Sequence, residues 1–181
     1  MIPSKAARRY SSALLGFAIE TNTLERILSD MEYIHKTIEH SRELVLFLRN
    51  PLIKADKKRD AINQLFGSKV CKEVNSFFDL VASKARFDLI PGIAKAFIDA
   101  YRKHKGIELV HLFYAEEPNA DQIDRIKKAL ESKTGKTIEL ISQHKPGLLG
   151  GVMVKIDDTV IDGSVKHKLE QLQHLFFKAA I

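Results

Sequence analysis

Residues 146–172, PGLLGGVMVKIDDTVIDGSVKHKLEQL, decide how the C-terminal part of this chain folds. The stretch opens on a Pro146-Gly147 break and a Gly150-Gly151 pair. The run from Val152 to Ile156 then reads as a β-branched strand, Asp157-Asp158 as its turn, and the residues from Thr159 to Ile161 as the return strand. Asp favours turns because its carboxylate bonds its own backbone. Asp162-Gly163-Ser164 places a cap ahead of a helix carrying Val165, Leu169 and Leu172 along one stripe. The glycine pair supplies either positive φ or room for close backbone approach where the strand begins.

Ahead of this stretch the pattern extends as an α+β unit. Ile107 to Tyr114 alternates and is rich in aromatic and β-branched residues, so it predicts a strand. Pro118-Asn119 begins a helix with Ile123, Ile126, Lys127 and Leu130 along it, Gly135 breaks it, and Thr137 to Ile141 is a further strand. Residues 106–181 therefore read as β-α-β-β-β-α. Residues 1–105 carry helical periodicity instead. Ser4 caps a first helix holding Ala6, Tyr10, Ala13 and Phe17, with Leu14 and Ala18 beside them. Thr23 starts a second, with Leu24, Ile27, Leu28, Met31, Ile34 and Ile38 in one stripe. Ser41 opens a third that Asn50-Pro51 stops. Asp56 is expected to cap a fourth with Ile62, Leu65 and Phe66 inside, ended by Gly67. A fifth, over about residues 70–85, has Val74, Phe78, Val81 and Ala85 as its stripe, with Phe77 and Leu80 off it. Pro91 serves the first turn of a sixth, which Gly106 ends. The fold class is α+β, mainly α: an N-terminal six-helix bundle (1–105) followed by a small α+β domain (106–181).

At 45% hydrophobic and 29% charged residues the composition is that of an ordinary globular chain. No apolar run approaches the ~18 residues of a spanning helix, and MIPSKAARRY has no apolar core or cleavage site of a signal peptide. The single cysteine, Cys71, excludes an intrachain disulfide and reads as a small packed side chain. Charge is uneven: residues 1–105 hold 19 Lys+Arg against 12 Asp+Glu, a net +7, whereas residues 106–181 hold 10 against 11, a net −1. The basic half suggests a nucleic-acid-binding protein as an alternative function. Its basic residues are interleaved with acids, however, and no RNA-binding or helix-turn-helix motif accompanies them.

Chemistry is not visible. Gly147-Leu-Leu-Gly-Gly151 lacks the Lys-Ser/Thr ending of a phosphate loop and runs into a strand. Asp157, Asp158 and Asp162 lack the ligand ladder of a calcium loop. The seven histidines show no metal-ligand spacing. What rises above background is apolar surface. The first and fifth helices carry more of it than one core face needs, and the last helix ends apolar through Leu175, Phe176 and Phe177. A central helix can be apolar on two sides, so core and docking readings both remain open here.

The C-terminal stretch, GLLGGVMVKIDDTVIDGSVKHKLEQL, resembles the signature of the δ subunit of the F-type ATP synthase, the relative of the mitochondrial oligomycin-sensitivity-conferring protein. AARRYSSALLGFA is similar to that family's opening helix, LRNPLIKADKKRDAI to its third-to-fourth helix junction, and KARFDLIPGIAKAFIDAYRKHKGIELV to its sixth helix and crossover. The family often has glycine where this chain has Asp157-Asp158, which puts the turn type in question. The resemblance implies a non-catalytic stator subunit with no cofactor or metal, peripheral to the cytoplasmic face of the bacterial inner membrane and associated with it only through the complex. It implies N-terminal helices of α subunits and the b subunits of the peripheral stalk as partners, and no nucleic acid. On the matching positions, the α-subunit helix would touch Tyr10, Ala13, Phe77 and Leu80. The b subunits would touch Leu169, Leu172, Leu175 and Phe176.

Overall fold

A computed structural model describes residues 3–179 of the chain, with side chains as far as residue 176, so Phe177 lies outside the described side chains. The fold is α+β and mainly α. The chain divides into two compact units, Met1–His104 and Lys105–Ile181.

In the first unit α1 (Lys5–Glu20), α2 (Leu24–Glu39), α3 (Arg42–Arg49), α4 (Ala55–Phe66), α5 (Lys72–Ser83) and α6 (Ile90–Lys105) surround one core, with a short 3-10 turn at Phe87–Leu89. The stripe of α2 forms its middle. Ile27, Met31, Ile34 and Ile38 recur at helical spacing and are all buried. Phe66, Phe78, Phe97, Leu48 and Ile93 close around them. Each such side chain contributes roughly 1.5–3 kcal/mol on burial. Two caps match the sequence: the Ser4 hydroxyl accepts from the Ala7 N–H at 3.2 Å, and that of Ser41 from the Leu44 N–H at 3.2 Å.

Three details of this unit differ from the sequence reading, whereas Gly67 ends α4 as expected. Asp56 does not cap α4. Lys54 holds the cap position without a side-chain bond, and Asp56 sits in the first turn, where a carboxylate suits the helix dipole. Leu65 is not inside but 43% exposed, because Lys58, Ile62 and Phe66 at i, i+4 and i+8 take the core face. Lys58 is buried because its ammonium donates to the Leu48 carbonyl at 2.8 Å, at the C-terminal end of α3. Ala85 leaves the stripe of α5, since the helix ends at Ser83 and Ala85 turns into the left-handed region at φ +52°. Gly67 ends α4 with an ordinary right-handed φ of −52°, without a left-handed cap.

Cys71 is buried just ahead of α5, its backbone N–H donating to Asp30 Oδ2 at 2.7 Å. Burial, helped by a hydrogen bond with Asp30, pushes its thiol up to about 12.

The second unit is a four-stranded sheet of order β2-β1-β3-β4, built from β1 (Ile107–Tyr114), β2 (Thr137–His144), β3 (Val152–Ile156) and β4 (Thr159–Asp162). β1 and β2 run parallel, so a crossover is required, and α7 (Ala120–Thr134) supplies it. Asn119 and Gln122 start α7 with a reciprocal capping box, and Gly135 ends it at φ +66°. β2 extends three residues past the expected Ile141, because the parallel register with β1 continues to Tyr114 opposite His144. Val110, Leu112, Ile138 and Val154 are buried with Leu130 of α7 in this unit's core. β3 and β4 form the expected hairpin, with Asp157 at φ +46° in its two-residue turn. Asp tolerates this conformation better than most side chains. α8 (Val165–Ala179) follows, capped by the Ser164 hydroxyl, which accepts from the His167 N–H at 3.2 Å.

The glycine pair joins hairpin to helix. Gly151 sits at φ +73°, and a Cβ there would meet the Gly163 carbonyl oxygen at 2.6 Å. A Cβ on Gly150 would meet Val165 Cγ2 at 2.9 Å. Two backbone bonds cross the same junction: Gly163 N–H to the Val152 carbonyl and Val165 N–H to that of Gly150, each 3.0 Å.

Two outcomes follow from this packing. Gly151→Ala should cost more than about 2 kcal/mol, because backbone strain and collision act together. Gly147→Ala, with nothing within 4 Å of its added Cβ, should stay within about 0.5 kcal/mol. Urea unfolding of both variants checks this, and equal midpoints would refute the packing argument. Cys71 should be alkylated at pH 8 about a thousandfold more slowly in the native chain than in urea, since the thiolate is the nucleophile. The folded thiol stays protonated where the unfolded one ionises. Its stabilisation is therefore full below the ordinary value of 9.0 and is lost as pH climbs toward about 12.

Candidate interaction surfaces

α1 and α5 each bury one face in the core. Ala7, Ser11, Leu14 and Ala18 do so on α1, and Val74, Phe77, Phe78 and Val81 on α5. The apolar residues left over meet across an open groove of about 280 Å³. Tyr10, Ala13, Leu14 and Phe17 line it from α1, and Glu73, Ser76, Phe77 and Leu80 from α5. All four residues that the resemblance named for one partner are therefore brought together. Their depths differ. Phe77, at 8% exposed, forms the floor, and Tyr10 stands half-buried edge-on to it, with ring centroids 6.3 Å apart and planes at 76°. Leu80 at 50% and Phe17 at 44% exposed form the walls. Tyr10 thus serves the core and the groove at once.

The sequence reading did not assign Leu14, Phe17, Glu73 or Ser76 to a partner. The signal was present on α5: positions 73, 76, 77 and 80 fall at i, i+3, i+4 and i+7, one helical face. Glu73 is the sole charged residue of the lining. Its own backbone N–H, then Cys71, then Arg26 and Lys72, hold its carboxyl below the usual range, so it is an anion at neutral pH.

The second surface is α8. Leu169, Leu172, Leu175 and Phe176 are each half or more exposed, and Val165 is exposed as well. Among the described residues, α8 buries none of its side chains. The separations 165, 169, 172 and 176 alternate four and three residues, the seam spacing of paired helices. What holds α8 is its first turn, at Ser164 and the glycine pair.

The other candidates have structural employment. An added Cβ at Gly150 or Gly151 would meet Val165 or the Gly163 carbonyl, so the glycines serve packing. Asp162 accepts from the Ser164 N–H at 2.8 Å, and hydrogen bonds with Ser164, side chain first and then backbone, hold its carboxyl below the usual range. Among the described residues no group of three or more His, Cys, Asp or Glu side chains is arranged to hold a metal ion. No helix among them is long and apolar enough to cross a membrane.

Comparison with known proteins finds relatives that match across both units. The sequence model described as "ATP synthase delta (OSCP) subunit" matches residues 6–176. The ATP synthase subunit delta of Chlorobaculum tepidum is 37% identical over 169 residues, 93% of each chain. That of Chlorobium phaeobacteroides is 39% identical over 168 residues, again 93% of each. That of Halothermothrix orenii is 33% identical over 181 residues, covering 100% of this chain and 95% of its own. Among solved structures, a chain in the cryo-EM structure of the Toxoplasma gondii mitochondrial ATP synthase hexamer superposes with a TM-score of 0.70 and 26% identity, over 96% of this chain and 98% of that one. With the match running nearly end to end, through both the helical unit and the sheet unit, this chain belongs to the ATP synthase delta (OSCP) subunit family.

Proposed function

We propose that this chain is a non-catalytic stator subunit of an F-type ATP synthase, holding the catalytic hexamer to the peripheral stalk. The first unit, working as a six-helix bundle, takes N-terminal helices of α subunits. The second takes the b subunits along α8. The chain reaches the cytoplasmic face of the membrane only as part of the complex. Its task is mechanical: rotation drives synthesis only if the hexamer is kept from turning with the rotor.

The observation that carries this reading is the open apolar groove between α1 and α5. A groove of this kind suits the apolar face of an amphipathic helix. Each Leu- or Phe-sized anchor buried there is worth roughly 1.5–3 kcal/mol. Three or four anchors offset an association cost of about 4–15 kcal/mol only when little else has to be ordered. The groove meets that condition, because Tyr10, Leu14 and Phe77 are already packed by the core. α8 supplies the second grip, with its apolar seam already presented on a formed helix.

The test is calorimetry of the full chain with a synthetic peptide of the α subunit's N-terminal segment. Leu80→Asp should weaken binding at least tenfold, and Tyr10→Ala by about three- to tenfold. Leu172→Asp should leave peptide affinity unchanged while reducing recovery of the b subunits in a pull-down. Leu80 and Leu172 are half-exposed, so these variants should keep the wild-type circular dichroism spectrum. Unchanged peptide affinity in both groove variants would exclude the groove as the docking site.

A further inference from the structure

The groove is apolar along most of its length but electrically lopsided. None of its four lining residues from α1 is charged, and of those from α5 only Glu73 is. Glu73 lies in the first turn of α5, seven residues before Leu80. At a 1.5 Å rise per residue the carboxylate end and the Leu80 end are roughly 10 Å apart, two helical turns. The carboxylate remains ionised at neutral pH. Arg26 and Lys72 act on it through space, but among the described residues it closes no ion pair of its own. Its own backbone N–H and Cys71 bond the carboxylate, yet a docked helix that covered this end with apolar atoms would still strip water from an anion with no ion-pair partner, which is costly.

Resting on the groove reading above, we propose that the helix seated between α1 and α5 presents a Lys or Arg to Glu73, and that this pair pins its register. The occupant is the N-terminal helix of the α subunit. Its basic side chain lies about two turns along from the apolar residue that packs on Leu80. Sliding the helix by one turn separates the charges and moves every anchor off its wall, so a single ion pair at one end discriminates between registers that the apolar trough alone would accept. A helix with an acid at that position is rejected by like charge.

The experiment uses the full chain and the synthetic α-subunit N-terminal peptide, with affinity measured by calorimetry at 50 and 300 mM KCl. Glu73→Gln should raise Kd about threefold at the lower salt, the range of an exposed ion pair, and should flatten the salt dependence. Glu73→Asp should restore part of both. Glu73→Lys should raise Kd roughly tenfold. Peptides with each Lys or Arg singly replaced by Gln identify the partner, because one of them should lose its effect in the Glu73→Gln background. A purely structural role at the start of α5 would change Kd without altering the salt slope and without coupling to any peptide position, and either result overturns the inference. Leu80→Asp separates the two levels of the argument. Should both it and Tyr10→Ala fail to weaken binding, the groove reading falls and takes this inference with it. Should it weaken binding while Glu73→Gln does not, the charge pairing alone falls.

Discussion

A helix that serves a single core needs a single apolar stripe, and α1 and α5 have more than that. The core around α2 is already filled by Ile27, Met31, Ile34 and Ile38, so it can accept only one face of each neighbour. The surplus is forced outward. Because Leu14 and Phe77 are held by the core, the outward residues beside them, Phe17 and Leu80, are fixed in place as the walls of a trough. The trough is therefore a by-product of packing that is already satisfied, and its walls are ordered by the core alone.

The second unit reaches a comparable result by other means. Its small core lies between α7 and the sheet, and α8 takes no part in it. What fixes α8 is the crowded junction where Gly151 passes the Gly163 carbonyl and Gly150 passes Val165. Glycine is needed because any Cβ would collide, and at Gly151 also because φ is positive. The helix is thus anchored at its first turn and leaves Leu169, Leu172, Leu175 and Phe176 uncovered. In the first unit the exposed apolar residues are held by buried neighbours on the same helices, and in the second by the backbone junction ahead of α8.

The polar groups that could suggest chemistry are turned to structural ends. Cys71 is buried with its thiol held protonated. Lys58 spends its charge on the Leu48 carbonyl at the end of α3. Asp162 fixes the entry to α8 through Ser164. Glu73 does both: its carboxyl bonds its own backbone N–H in the first turn of α5, and its charge also lines the trough.

Much of this was readable from local pattern. The α2 stripe, the Ser4 and Ser41 caps, the β3–β4 hairpin and the need for glycine at 150–151 all follow from spacing and backbone sterics within a few residues, which is why sequence alone determined them. The resemblance carried by residues 146–172 is itself enough to point to the family. Sequence erred where a choice belonged to distant residues. Leu65 faces outward because Lys58, Ile62 and Phe66 take the core face of α4, where Lys58 reaches the Leu48 carbonyl ten positions away. β2 ran on to His144 because β1 offered it a ladder. Glu73 and Ser76 went unnoticed because a polar residue acquires meaning only once the opposite wall is known. Periodicity could say that α1 and α5 had apolar residues to spare. Only tertiary packing decided that the spare faces meet, since facing across a groove is a property of two helices held by a third and is written in neither of them alone.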